Sequence, residues 1–105
     1  MNTDRIKTLT SYYAEDPSDP FNIYALAIEY MSGDVNEASH WFDKLLQEHP
    51  KYLPAYYQAA RCHDIRHQKE EAIKTLEKGI ALAAELRENK TRSELMSYLD
   101  ELTFD

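Results

Sequence analysis

Apolar residues recur along this chain at spacings of three and four, the period of a helix with one buried face. Ile6, Leu9 and Tyr13 form the first stripe, and Asp16-Pro17-Ser18-Asp19-Pro20 breaks it with a turn. Ile23, Leu26, Ala27 and Tyr30 form a second, ending at Ser32-Gly33, where the glycine is expected to close the helix in the left-handed conformation. Asp34-Val35-Asn36-Glu37 reads as a capping box that opens a third helix with Ala38, Trp41, Phe42, Leu45 and Leu46 on its inner face. His49-Pro50 ends it, because proline disfavours helical geometry in the residue before it.

Pro54 suits the first turn of a fourth helix, which carries Tyr56, Ala59, Ala60 and His63 inward and ends near Arg66-His67-Gln68. Ala72, Ile73, Leu76, Ile80 and Ala83 mark a fifth, with no helix breaker before Asn89. Thr91 and Glu94 read as another capping box, opening a last helix with Leu95, Leu99 and Leu102 on its apolar face and Tyr98 beside them. Six helices joined by short loops are predicted.

Helices two and three align with helices four and five. Ile23 pairs with Tyr56, Leu26 with Ala59, Ala27 with Ala60, Tyr30 with His63, Ala38 with Ala72, Phe42 with Leu76 and Leu46 with Ile80. The period is about 34 residues, the length of a helix-turn-helix unit that buries its apolar face only by stacking on a neighbour. On these residues the chain resembles the tetratricopeptide repeat family, as a small two-repeat protein of bacterial type. Residues 20–52 form the first repeat and supply Leu26, Ala27, Tyr30, Gly33, Ala38, Phe42 and the closing Pro50. Its inter-helix turn is one residue short, and Leu45 stands where alanine is usual. Residues 53–86 form the second, with Tyr56, Ala60, Ala72, Leu76 and Gly79, but with His63 where tyrosine is usual and no closing proline after Ala83.

The resemblance implies an all-α, antiparallel helix-turn-helix solenoid over residues 1–105 as one domain, capped by helices in 1–19 and 87–105. Ala27, Ala38, Ala60 and Ala72 are then the close-approach positions, with Phe42 and Tyr56 filling the space beside them.

Composition narrows the function. The chain has 105 residues, with 19 Asp plus Glu against 12 Lys plus Arg; this net charge of −7 repels phosphate backbones and anionic lipid surfaces, so neither nucleic acid nor membrane is an expected partner. Two glycines and four prolines leave little for tight turns, in keeping with helices. A single cysteine, Cys62, permits no internal disulfide, and no apolar run has the length of a signal peptide core or a membrane span. A reducing cytoplasm is the expected location.

In the family the first helix of each repeat lines a concave groove. By resemblance the lining residues are Phe21, Tyr24 and Ile28 from the first repeat, and Tyr57, Arg61 and Asp64 from the second. Aromatics and arginine are the side chains that most often anchor interfaces, which singles out Tyr24, Tyr57 and Arg61. Phe21 and Ile28 have an alternative as packing under the first helix. Family members that grip a peptide's terminal carboxylate do so with several Lys, Arg and Asn at these positions, and Arg61 is the one cation here.

Other chemistry is thinner. His63 and His67 have the i, i+4 spacing of a zinc pair, but one occupies an inward repeat position and the other a turn, so no metal site is expected. Cys62 and His63 are helix neighbours pointing to different faces, which denies them a nucleophile–base role. Glu70, Glu71, Asp100 and Glu101 read as solvated helix faces, with Glu70 facing Lys74 at i, i+4. Tyr12, Tyr13, Tyr52 and Tyr98 exceed what a core needs, so some belong at an edge.

The sequence thus predicts a non-enzymatic protein-protein interaction module without cofactor, binding a peptide or helix of another protein in a short concave groove with micromolar or weaker affinity. The alternative is a structural protein that forms a homo-oligomer through exposed aromatics. A small enzyme or metal-dependent regulator ranks third, resting on Cys62, His63 and His67.

Overall fold

The computed structural model describes residues 1–104. The described residues form six helices and no strand: α1 (Thr3–Glu15), α2 (Pro20–Met31), α3 (Val35–Glu48), α4 (Pro54–Ile65), α5 (Lys69–Glu85) and α6 (Asn89–Thr103). They divide into two compact units, Met1–Ala55 and Tyr56–Asp105, with the boundary just inside the start of α4.

In the first unit α1 packs on α2 and α2 on α3. Local chemistry starts each helix. The Asn2 side chain accepts from the Arg5 N–H at 3.0 Å, Asp19 from the Phe21 N–H at 3.0 Å, and Asp34 from the Glu37 N–H at 3.1 Å. These oxygens satisfy amides that have no partner within their own helix. The Asp34 box is half made, since the Asp34 N–H is taken by the Tyr30 carbonyl at 2.7 Å rather than by Glu37. Asn22 does similar work at the other end of α1, its amide donating to the carbonyls of Tyr12 at 3.2 Å and Asp16 at 3.0 Å. Ile23, Leu26, Ala27, Ala38, Phe42 and Leu45 are buried. Trp41 meets Tyr13 edge-on with ring centroids 5.1 Å apart.

Gly33 departs from the sequence expectation: no glycine among the described residues has positive φ. What the glycine meets there is a close neighbour at the start of the chain: a Cβ would lie 2.5 Å from the Cβ of Met1, so Met1 would have to shift to admit one.

In the second unit α5 packs on α6. Gly79 on α5 lets Tyr56 of α4 come close, and a Cβ there would lie 2.7 Å from the Tyr56 Cβ. Ala59, Ala60, Ala72, Leu76, Ala83 and Leu95 are buried. The left-handed positions are His67 (φ 62) and Arg87 (φ 59), and they close α4 and α5 in the same way. The Gln68 N–H returns to the His63 carbonyl and the His67 N–H to Asp64; the Glu88 N–H returns to Ala83 and the Arg87 N–H to Ala84. Each is a Schellman closure, built without the usual glycine.

Three sequence expectations are corrected in this unit. α5 stops at Glu85, short of Asn89, because Arg87 turns the chain. α6 already begins at Asn89, so Thr91 lies within its first turn and the helix has no side-chain cap. Lys74 also pairs with Glu71, at 3.8 Å, rather than with Glu70. No described helix is long and apolar enough to cross a membrane.

Candidate functional site

In the first unit, Phe21, Tyr24 and Ile28 stand on one face of α2, at i, i+3 and i+7. Phe21 is 59% exposed, whereas Tyr24 and Ile28 are half-buried. Tyr24 pairs with Tyr52, ring centroids 5.6 Å apart and planes tilted by 58°. Beside this pair a cleft of about 410 Å³ is lined by Pro20, His49, Pro50, Lys51 and Tyr52. Burial raises the pKa of Tyr24; for Tyr52 burial acts first, and then the charges of Tyr24 and Asp19. Both phenols therefore stay neutral and able to donate at physiological pH.

In the second unit, Tyr57, Arg61 and Asp64 occupy one face of α4, at i, i+4 and i+7. Tyr57 pairs with Tyr98 of α6, centroids 5.1 Å apart and planes tilted by 40°. The Tyr98 hydroxyl donates to Asp64 Oδ2 at 3.0 Å. Tyr98 is held well above the ordinary tyrosine pKa, first by burial and then by its hydrogen bond to the Asp64 carboxylate. Arg61 is exposed and donates through Nη1 to Gln58 Oε1 at 2.9 Å. A cleft of about 300 Å³ opens beside the tyrosines, lined by Tyr57, Ser93, Glu94, Ser97, Tyr98 and Glu101.

The fold thus brings Tyr57 and Asp64 together through Tyr98. Sequence reasoning counted Tyr98 among the surplus tyrosines, read Glu94 as part of a capping box, and passed over Ser93 and Ser97. Two signals were available. Tyr30, His63 and Tyr98 succeed one another by nearly one repeat length, and Glu94, Ser97 and Glu101 keep to one helical face.

His63 Nδ1 lies 3.1 Å from Gln68 Oε1, which also accepts from Arg66 Nη1 at 3.0 Å. His67 lies beyond the end of α4 in a left-handed turn, so the two imidazoles do not share a helical face. No cluster of three or more His, Cys, Asp or Glu among the described residues is placed to hold a metal ion. Cys62 is buried, 1% exposed.

Short antiparallel helices with alanine and glycine at the close approaches define an α-helical repeat protein. A family model for the tetratricopeptide repeat matches residues 29–88. The chain belongs to the tetratricopeptide repeat family. A tetratricopeptide repeat domain protein from Salinibacter ruber, solved by solution NMR, is 32% identical, with 84% of this chain and 90% of that one covered and a TM-score of 0.79. Two more distant structures share the fold. The type III secretion translocator chaperone SycD of Yersinia enterocolitica is 20% identical, covering 95% of this chain and 70% of that one, with a TM-score of 0.85. PcrH, crystallised with the chaperone binding region of PopD, is 18% identical, covering 96% and 77%, with a TM-score of 0.86. No curated protein sequence matches the chain.

Proposed function

We propose that this chain is a non-enzymatic protein-protein interaction module of the cytoplasm that binds a peptide or helix of another protein. Phe21, Tyr24 and Ile28 on α2 contribute from the first unit, and Tyr57, Arg61 and Asp64 on α4 from the second. The observation that carries this reading is the Tyr57–Tyr98 pair: Tyr98 is buried, Tyr57 is half-buried on it, and both line a cleft. Paired tyrosines with restrained rings offer large contact area at small entropic cost. The Tyr24–Tyr52 pair repeats the device in the first unit. PcrH, which shares the fold, was crystallised with the chaperone binding region of PopD, and that mode of action fits the present chain.

The test is affinity capture from the source lysate with wild type and with Tyr57→Ala/Arg61→Ala. Loss of partners from the variant supports the reading; identical partner sets contradict it. A homo-oligomer is the second reading, favoured by the exposure of Phe104 (83%), Phe21 and Tyr12. Light scattering over a dilution series separates the two, since a monomeric binder keeps its mass constant.

A further inference from the structure

The cleft beside Tyr57 and Tyr98 has a chemistry of its own. Glu94 and Glu101 lie on one face of α6 at i and i+7, and both line the cleft with the hydroxyls of Ser93 and Ser97. No lining residue is cationic. Among the described residues neither glutamate makes an ion pair or a side-chain hydrogen bond, and Lys90, one turn before Glu94, does not pair with it. The two rings of the wall are restrained, because the Tyr98 hydroxyl is tied to Asp64. A tyrosine face attracts a cation within about 6 Å of its centroid. The floor continues into a hollow lined by Ser97, Asp100, Glu101 and Phe104, sharing Ser97 and Glu101 with the cleft. Phe104, 83% exposed, gives that hollow an apolar edge.

We propose that this cleft receives a lysine or arginine side chain of a basic, amphipathic segment of another protein, whose next apolar side chain rests on Phe104. This rests on reading the chain as a protein-interaction module and names the chemistry of its partner. The cation faces two carboxylates, two hydroxyl acceptors and the edge of the tyrosine wall; Arg61, one turn from Tyr57 on α4, acts on Tyr98 from outside the lining and is held to Gln58. A second copy docking through the same face is the wrong occupant, since its α6 would set Glu94, Asp100 and Glu101 against the same three charges. An acidic or phosphorylated peptide fails for the same reason. The net charge of −7 then favours encounter with the basic partner.

The test uses a fluorescent helical peptide of Lys and Leu, and its counterpart with Glu for every Lys. It is titrated against the full chain, against Glu94→Gln/Glu101→Gln, and against Asp43→Asn/Glu77→Gln, which removes equal charge from exposed positions outside the cleft. The expected results are binding of the Lys peptide that weakens with salt, a loss of about fivefold for Glu94→Gln/Glu101→Gln and less than about twofold for the control. Amide resonances of Ser93, Ser97 and Tyr98 should move on binding. Equal losses in both double variants, equal binding of the Glu peptide, or stationary resonances at those three residues would overturn the proposal. Its failure is separable from failure of the interaction reading. In the former, lysate capture depends on Tyr57 but not on Glu94 and Glu101; in the latter, it depends on none of them.

Discussion

The Tyr98 hydroxyl donates to the Asp64 carboxylate at 3.0 Å, tying α6 to α4 across 34 positions of sequence. Tyr98 is buried and Asp64 half-buried, so removing the donor leaves the carboxylate with one partner fewer in a partly dry site. Tyr98→Phe should lower unfolding free energy by about 1–2 kcal/mol in urea denaturation. Asp64→Asn keeps an acceptor and should cost less. Equal stability of Tyr98→Phe and wild type would show that the bond contributes nothing.

The same bond gives a pH dependence. Burial first, and the Asp64 bond second, favour the neutral phenol in the folded state, so the pKa of Tyr98 rises on folding. Its contribution is complete below the unfolded tyrosine pKa of about 10 and is lost as pH climbs from there towards the folded value. Stability measured by urea titration should therefore fall above about pH 10. Tyr98→Phe should make that fall shallower without abolishing it, because Tyr24, Tyr52 and Tyr56 are also raised by burial.

The two glycines should respond differently to alanine. At Gly79 a new Cβ meets the Cβ and Cγ of Tyr56 at 2.7 and 3.1 Å, atoms fixed to the α4 backbone. Gly79→Ala should destabilise by about 1–3 kcal/mol, although alanine is the better helix former. At Gly33 the obstacle is Met1, which precedes α1, and φ is not left-handed. Gly33→Ala should stay within about 1 kcal/mol of wild type, since the end residue can shift and the unfolded chain loses entropy. Thermal melts of both variants check the contrast.

Arg87 closes α5 at φ 59, a conformation that costs a side chain about 1–2 kcal/mol and glycine little. Arg87→Gly should stabilise by about 0.5–1 kcal/mol, the unfolded-state entropy of glycine offsetting part of the strain relief. A lower melting temperature for Arg87→Gly would mean that the arginine makes compensating contacts.

Asn22 donates to two carbonyls at the C-terminal end of α1. Asn22→Ala should cost about 1–2 kcal/mol and speed amide exchange through α1 before the other helices. Uniform exchange across the first unit would contradict that role.

The helices and the repeat were legible because they are written in local spacing. Asp34 caps α3, Pro54 opens α4, and the alanines paired across the repeat are buried as their register implies. The closure of α5 was not legible. It is made by backbone returns around Arg87, a residue whose side chain advertises no left-handed turn. The surplus of tyrosines was visible as a count, but their pairing was not. Tyr98 meets Tyr57 and Asp64 only through the way α4 and α6 come together, which no short-range pattern encodes.

The most direct measurement of the central claim is the dissociation constant of the partner segment recovered by affinity capture. It is compared for wild type, Tyr24→Ala, Tyr57→Ala and Tyr12→Ala, the last removing a tyrosine 52% exposed and outside both aromatic pairs. The account predicts micromolar binding by wild type, a loss of about tenfold in Tyr24→Ala and Tyr57→Ala, and no change in Tyr12→Ala. Equal affinity across all four proteins would contradict it.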